Sequence, residues 1–449
     1  MKSLSHCAIA LFLVTIPCAG QIRAGAAKRS ITPDLKAHSP VFLAGFGHNR
    51  VATGIHDDLY ARCLALSAGQ RPLVICGVDS IGLFLDDTAK IRARIEADAV
   101  IAALHDHEAP DTMGLWGAAP GQSGINEAYN QYVVDRTVEA AREALRMLEP
   151  AVITLARAHE AGLDTFIDDD RPPVLHDTEI IALRAVSRSG KAIGTLINWA
   201  NHPETVGSKN TLITADYCAY LYRHTEALLG GTAVFVNGAV GGMQSSLGAT
   251  VKDPATGRPA EELSFRKAEV IGSRVAELAA NGLKKARPAS IDRIDFRERI
   301  VEIPMRNKNY VAASQSGVFK GRKNPTPDGA TRTPVGYIRM SRQGKPHLEI
   351  ALVPGELYPE LSVGGIERYP EADFPDAPLE PALKQLMTAP YRMLFGLAND
   401  EIGYIIPRAE WDEQPPYLKG SAKRWYGEVN SVGPDAAPVI TKAFSELVR

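Results

Sequence analysis

The residue with the clearest chemical potential is His202, which ends an apolar segment over residues 196–202. Pro203 follows it directly and bars helical continuation. A histidine at the mouth of a strand, in a polar loop on a rigid scaffold, is typical of a metal ligand or a catalytic base. The alternative is an imidazole satisfied by neighbouring backbone groups. The choice between them depends on whether similar positions occur elsewhere in the chain.

A second apolar segment, residues 100–104, also ends in histidines. It continues as His105-Asp-His107. In extended backbone, alternate side chains share one face, so His105 and His107 point the same way and Asp106 points opposite. One histidine can then bind a metal while the other orients it or donates to a reacting oxygen. The alternative is a polar surface loop.

Two further strand exits carry suitable side chains. Glu356 follows Pro354 and Gly355, where the glycine permits a sharp inward turn. Tyr404, within the segment 399–407, offers a phenol. Taken alone, such a glutamate is usually solvated and such a tyrosine usually packs. Two histidines and a carboxylate with one open position are nevertheless what catalytic zinc requires.

The elements that must position these residues read as alternating strands and helices. Strand-like segments lie at 22–33, 72–79, 100–104, 151–156, 179–186, 193–198, 233–237, 291–304, 347–353 and 391–398. Helical periodicity covers 86–97, 126–148, 216–229 and 261–285. This alternation predicts an α/β class of mixed α+β layers, and 449 residues predict one large domain or two intimate subdomains.

Two segments are predicted to be irregular. The glycine-rich loop 238–246 could let backbone approach a ligand, but it lacks the Gly-Lys-Ser pattern of a nucleotide phosphate loop. Residues 306–333 are rich in Asn, Lys, Gly, Ser and Pro, and we expect a long exposed excursion there.

Composition narrows the class of protein. Apolar residues make up 45% and charged residues 23%, which is ordinary for a globular enzyme and too polar for an integral membrane protein. A formal net charge of -2 gives no electrostatic reason to expect nucleic acid as a partner.

The N-terminus has a positive start, a short apolar centre and a small-residue exit. Residues 1–20 are therefore predicted to be a signal peptide, and residues 21–449 a single catalytic domain that is secreted or periplasmic. Cys63, Cys76 and Cys218 remain after cleavage. Their wide spacing forms no disulfide framework, and we expect mostly buried thiols.

Taken in order, several segments resemble the catalytic domain of the neutral/alkaline non-lysosomal ceramidase family. They are Gly25 to Pro33, Gly54-Ile-His-Asp-Asp-Leu-Tyr-Ala-Arg62, His105-Asp-His-Glu-Ala-Pro110, Asn198-Trp-Ala-Asn-His-Pro203, Thr214-Ala-Asp-Tyr-Cys-Ala-Tyr-Leu221, Phe235-Val-Asn-Gly-Ala-Val-Gly241, Pro354-Gly-Glu356, Asn399 to Tyr404, Tyr426-Gly-Glu and Gly433-Pro. No single motif is decisive, but their order along nearly the whole mature chain is.

The resemblance implies a single large domain with its active site at strand ends. It implies Zn²⁺ between His105 and His202, with Glu356 and Tyr404 completing the site. His107 would orient a ligand or stabilise an oxyanion, and zinc-activated water would attack an amide carbonyl, with Tyr404 beside the developing charge. Asp216 would orient the loop or a ligand.

Three departures from the family pattern bear on the substrate. The family's Gly-Asp-Val-Ser-Pro segment, whose serine faces the substrate, corresponds to Gly241-Gly-Met-Gln-Ser245, and Ser245 is the catalytic candidate in that serine's place only with a one-residue shift. The substrate-binding Asn-Arg-Ser-Pro stretch has no clear match near residues 163–173, where Arg171 is the only cation. The resemblance ends with the catalytic domain, so we expect the family's immunoglobulin-like C-terminal domain to be missing.

The resemblance therefore predicts a secreted zinc-dependent amidohydrolase. Its substrate would be an N-acyl sphingoid or a related amphipathic, lipid-like amide. Peripheral contact with a membrane surface is compatible with such a substrate, and the oligomeric state stays open. The alternatives are a zinc hydrolase of a different amide or ester, such as a sugar- or amino-acid-derived conjugate, and a non-catalytic binding descendant. Metal content distinguishes the last of these.

Overall fold

A computed structural model of the chain describes residues 21–159, 162–169, 171–319 and 329–449. The strands are β1 (Arg23–Ser30), β2 (Gly54–Ile55), β3 (Tyr60–Ser67), β4 (Leu73–Val78), β5 (Asp98–Ala103), β6 (Glu149–Ala158), β7 (Ile180–Ser187), β8 (Ala192–Trp199), β9 (Leu212–Ile213), β10 (Thr232–Asn237), β11 (Pro288–Ala289), β12 (Arg293–Pro304), β13 (Ala330–Arg342), β14 (Lys345–Leu352), β15 (Glu356–Leu357), β16 (Tyr391–Phe395) and β17 (Tyr404–Ile405). The helices are α1 (Leu85–Arg92), α2 (Glu127–Arg146), α3 (Asp216–Leu229), α4 (Phe265–Lys285), α5 (Lys308–Gln315), α6 (Pro359–Val363), α7 (Leu383–Leu386), α8 (Tyr426–Val429) and α9 (Ala436–Val448). The predicted signal peptide lies outside the described residues.

The described residues form a large mixed sheet with the strand order β10-β8-β7-β6-β1-β3-β4-β5, and β11 pairs with β6 at its side. The outer pairs β10/β8 and β4/β5 are parallel, whereas the pairs between them are antiparallel. The two halves of the sheet join only through two residue pairs between β1 and β6. Away from this narrow junction, β10 of one half lies against β3, β4 and β5 of the other.

A second sheet, ordered β12-β13-β14-β16, packs on one face of the first. An apolar core fills the space between the two sheets and includes Leu64, Leu196, Ile350 and Phe395. Helices α2, α3 and α4 cover the outer face of the large sheet, and α9 covers the small one. The layers therefore run helix, sheet, sheet, helix, which confirms the predicted α/β class of mixed layers.

The helices begin and end where local chemistry favours it. The Asn126 side chain accepts a hydrogen bond from the Tyr129 amide at 3.0 Å and caps α2, and Ser264 caps α4 in the same way. Positions 133, 137, 140, 141 and 144 recur at helical spacing and are all buried against the sheet. The predicted helix 216–229 matches α3 at both ends, whereas the first predicted helix, 86–97, ends earlier, at Arg92.

Strands β4 and β10 approach each other unusually closely, and a glycine permits it. A Cβ atom at Gly77 would lie 2.1 Å from the carbonyl oxygen of Phe235. Beyond this contact, the Asn237 side chain donates to the Leu104 carbonyl at 3.0 Å. The Gly396 amide in turn donates to the Asn237 carbonyl at 3.0 Å. The exits of β5, β10 and β16 are thereby held at one edge.

The expectation that the mature cysteines are unpaired thiols is wrong for two of them. Cys63 and Cys76 are directly opposite in the antiparallel pair β3/β4 and form a disulfide, with Cα atoms 4.1 Å apart. Their separation of 13 residues reflects the hairpin that joins the two strands. Cys218 is a buried free thiol, as expected.

Removing this disulfide with the double variant C63A/C76A should lower the free energy of unfolding by about 3 kcal/mol. The disulfide joins residues 13 positions apart, and without this closed loop the unfolded chain gains conformational entropy. Urea titration checks this value. Reductant present during unfolding should shift the wild-type midpoint but not that of the double variant. Equal midpoints for the two proteins in oxidising buffer would contradict the prediction.

The predicted exposed excursion over 306–333 is wrong in part. Residues 308–315 form helix α5, and β13 already begins at Ala330. Val318 and Phe319 are buried with Phe84 and Met113, because apolar side chains within this polar stretch find a partner surface that sequence periodicity does not reveal. Residues 320–328 lie outside the described chain. No helix within the described ranges combines the length and apolarity needed to cross a bilayer.

Candidate metal centre and its cavity

Backbone carbonyls hold the rings of His105 and His202. His105, which follows β5, has a φ of 65° and donates from Nδ1 to the Ile81 carbonyl at 2.8 Å. His202, beyond β8, donates from Nδ1 to the Gln244 carbonyl at 2.9 Å. Because Nδ1 carries the donated proton in both rings, Nε2 is the atom left for a ligand. The left-handed backbone at His105 is strain of a kind that clusters at functional sites.

Both free nitrogens point at one carboxylate. Glu356 Oε2 lies 3.3 Å from Nε2 of His105 and 3.1 Å from Nε2 of His202. In neutral rings with Nδ1 protonated, these nitrogens present lone pairs to a carboxylate lone pair, which is repulsive. A proton or a metal cation between the three atoms removes that repulsion. The geometry of these buried groups therefore fits a cation.

His107 completes a cluster of three histidines. One ring nitrogen from each of His105, His107 and His202 can be chosen so that all three lie within 4.8 Å of one another, and all three residues are buried. Neither ring nitrogen of His107 makes a hydrogen bond, although Nδ1 lies 3.2 Å from Glu204 Oε2. Gly45 leaves room for the His107 ring, since a Cβ atom at position 45 would lie 2.3 Å from His107 Cγ. The buried imidazole of His107 has no hydrogen-bond partner and lies beside two oriented imidazoles, so it is also suited to bind a metal.

The electrostatics distinguish the members of this cluster. Burial, followed by the charges of His105 and His202, lowers the pKa of His107 well below its ordinary value. Burial also acts to lower the pKa of His202, but the hydrogen bond to Glu356 and the charge of Glu204 outweigh it and raise the pKa. Burial acts to raise the pKa of Glu356, and the two histidines outweigh that effect and lower it. Glu356 is thus a carboxylate, and His107 is neutral.

Tyr404 stands beside Glu356 through a short parallel bridge between β15 and β17. Its hydroxyl donates to Met243 Sδ at 3.1 Å, and its side chain lines the same cavity as His105 and His107. Burial and the neighbouring charge of Glu356 raise the pKa of this phenol well above its ordinary value. Tyr404 is therefore a neutral hydrogen-bond donor at the edge of the cluster.

Above the cluster lies a cavity of about 430 Å³. Its walls are mainly aromatic and aliphatic, and they include Phe46, Phe84, Trp116, Tyr310, Phe319 and Tyr426. Side chains from the segment 306–319 form part of this wall, which gives that polar stretch a role that its composition concealed. A cavity of this size and character suits an apolar ligand with a few polar anchors.

Two solved ceramidase structures have folds similar to that of this chain. The crystal structure of neutral ceramidase from Pseudomonas aeruginosa matches with a TM-score of 0.71 and 19% sequence identity, over 95% of this chain and 74% of that chain. A ceramidase complexed with C2 matches with a TM-score of 0.71 and 18% identity, over 95% of this chain and 75% of that one. The chain has the neutral ceramidase fold. No protein-family model matches it, and a search of curated protein sequences finds no match.

Two predicted site residues, Asp216 and Ser245, contact the loop around His202 and do not line the cavity. Asp216 is fully buried and accepts hydrogen bonds from the amides of Val206 at 3.1 Å and Tyr217 at 2.6 Å. It therefore ties the segment after His202 to the start of α3. Ser245 does not line the cavity, and its hydroxyl oxygen accepts from the Leu247 amide at 3.0 Å.

Gln244 and Arg171, which lie where we expect departures from the ceramidase pattern, are both engaged within the protein. The Gln244 side chain donates to Asp169 Oδ2 and to the Leu175 carbonyl, both at 3.0 Å, while the Gln244 backbone carbonyl accepts from His202 Nδ1. Arg171 is buried, pairs with Glu428 and donates to the Glu410 carbonyl, and it does not line the cavity. In the neutral ceramidase fold of this chain, neither position offers its side chain to a ligand in the cavity.

Sequence reasoning missed several groups at this site. Glu204, which lines the cavity beside His107, follows His202 by only two positions, so its proximity was available as a signal. The carbonyls of Ile81 and Gln244 had no such signal, because every residue carries a carbonyl. The aromatic wall is assembled from distant segments and also had none.

Proposed function

We propose that this protein is a zinc-dependent amidohydrolase of ceramidase-like chemistry. The observation that carries the proposal is the convergence of three buried histidines and Glu356 at the base of an apolar cavity. The shared fold with neutral ceramidases supports the same reaction class. The substrate class is an N-acyl sphingoid or a related amphipathic amide.

In this proposal His105, His202 and Glu356 hold the zinc ion, and Tyr404 completes the site beside Glu356. When bound, Zn²⁺ supplies Lewis acidity, which polarises a carbonyl group and lowers the pKa of water. The carbonyls of Ile81 and Gln244 keep the two Nε2 atoms directed at the site and fix their tautomer.

The remaining groups would handle protons and orientation. His107 is neutral and buried with unbonded ring nitrogens, so it can accept a proton or donate to an oxyanion. Tyr404 keeps its proton and can donate a hydrogen bond to developing negative charge. The apolar walls exclude water and would receive the hydrocarbon part of the substrate, which strengthens these polar interactions. Ser245 and Asp216 would act by supporting the loop around His202.

A different amide or an ester is the second candidate substrate. The observation that favours it is the engagement of Arg171 with Glu428 and of Gln244 with Asp169. Both residues lie where we expect this sequence to depart from the ceramidase pattern. This alternative changes the leaving group and leaves the zinc chemistry as it is.

Secretion is part of the proposal. The disulfide between Cys63 and Cys76 supports an oxidising compartment, because such bonds persist outside the cytoplasm. The signal-like residues 1–20 would direct the chain there.

The first experiment measures zinc in the purified protein and turnover of a fluorescent N-acyl sphingosine before and after chelation. We expect about one zinc per chain, because the cluster offers one set of ligands. We also expect fatty-acid release that stops on chelation and returns with zinc. Zinc without turnover would move the search to other amides and esters. Absence of any metal would contradict the hydrolase and favour a non-catalytic descendant.

A further inference from the structure

Glu204 is a buried carboxylate in the cavity that the proposed metal set does not use. Only 1% of its surface is exposed, and it lines the cavity together with His107 and Tyr404. Its Oε2 lies 3.2 Å from His107 Nδ1 without a hydrogen bond, and its Oε1 has no partner. Burial of an unpaired carboxylate oxygen is costly, so a buried one that is retained calls for a ligand.

The backbone around Glu204 prevents the side chain from escaping to solvent. The Glu204 amide donates to the His202 carbonyl, and the Glu204 carbonyl accepts from the Gly207 amide, both at 3.1 Å. The Pro203 carbonyl accepts from the His107 amide at 3.0 Å. The Asp216 carboxylate accepts a hydrogen bond from the Val206 amide at 3.1 Å. The loop therefore fixes the carboxylate inside the cavity.

The charges of the cavity point to one kind of ligand. Three carboxylates line it, from Glu204, Glu356 and Glu401, and none of the lining side chains in the described ranges is a lysine or an arginine. Glu356 belongs to the proposed zinc set, and Glu401 accepts from the Gly403 amide at 2.6 Å. Of these two remaining carboxylates, Glu204 is the one placed 3.2 Å from a histidine of the cluster, at His107 Nδ1. A cation or a strong donor is favoured there, and an anion is repelled.

We infer that Glu204 selects substrates whose amine portion carries a positively charged group. The inference rests on the proposed hydrolase function and refines its substrate class to N-acylated diamines or similar cationic N-acyl amines. The apolar acyl chain occupies the aromatic part of the cavity, and the ammonium group binds the free oxygen of Glu204. N-acyl amino acids, whose amine portion is anionic, are disfavoured by the same carboxylate.

Three substrates with the same dodecanoyl group test this preference. Their amine portions are ethylenediamine, ethanolamine and glycine, which carry a positive, a neutral and a negative group. We expect kcat/KM of the zinc-loaded protein to fall in that order, by about tenfold or more between the first and the last, as a hydrogen bond to a charged group implies. Glu204→Gln should reduce this ratio about tenfold. The exposed Glu371 provides the matched control, and Glu371→Gln should keep the ratio.

A binding measurement separates this inference from the hydrolase proposal. Metal-free protein should bind dodecylammonium more tightly than dodecanoate, and Glu204→Gln should remove most of that difference. Equal binding of the two ions, or a preference that survives Glu204→Gln, would overturn the inference. If no amide is hydrolysed but the Glu204-dependent preference for dodecylammonium is present, the hydrolase proposal fails and the cation preference stands.

Discussion

Replacing His202 by alanine is expected to remove bound zinc and to reduce amide hydrolysis by about a thousandfold or more, because a ligand that supports several kcal/mol of transition-state stabilisation is lost. The ring is fully buried, and its two nitrogens contact the Gln244 carbonyl and Glu356. The substitution removes one of the two imidazoles whose Nε2 faces Glu356. Zinc content and kcat/KM of the purified variant measure both effects.

A histidine outside the site serves as the control. His224 on α3 is about two-fifths exposed and lies 3.6 Å from Glu277, so His224→Ala should keep both zinc and activity. Circular dichroism of both variants checks that the fold is retained. If His202→Ala kept full activity with zinc still bound, the proposed metal centre would be wrong.

Gly77→Ala should lower the free energy of unfolding by about 3 kcal/mol, the upper end of overpacking in a core. The new methyl group would stand 2.1 Å from the Phe235 carbonyl oxygen, and backbone on both sides leaves no flexible side chain to move away. Strand β10 must then shift relative to β4. Urea unfolding measures the loss.

Gly47→Ala provides the matched control, because a Cβ atom at Gly47 would have no neighbour within 4 Å. We expect its unfolding midpoint to stay near the wild-type value. The shift of β10 should also weaken the bond from Asn237 to Leu104, which holds two strand exits together. A Gly77→Ala variant as stable as wild type would show that β4 and β10 are farther apart than described.

The site illustrates which features short-range pattern can indicate. His105, His202 and Glu356 were predicted because each follows an apolar run of strand length, and such runs end at the polar edge of a sheet. Their proximity was supported only by resemblance to a family. Proximity depends on the order of strands, and β5 and β8 lie far apart in the path of the large sheet. Their exits meet because β10, the neighbour of β8, also lies against β4 and β5 of the other half-sheet.

The two cysteines illustrate the opposite case. Cys63 and Cys76 were expected to be thiols because their spacing matches no disulfide framework. Pairing of β3 with β4 in one register places them opposite each other. A shift of one residue would have put one side chain on the other face of the sheet, so the disulfide depends on register and not on spacing.

The sequence by itself determined the strands and helices that carry strong periodicity, the α/β class, and the residue types able to bind a metal at strand ends. These follow from local backbone preferences and from the burial of apolar side chains, which act over a few residues. Only the tertiary structure decided the orientation of the histidine rings, the placement of Glu204 and the aromatic cavity wall. These depend on contacts between segments remote in the chain, often through backbone carbonyls that every residue carries, so no residue type could indicate them in advance.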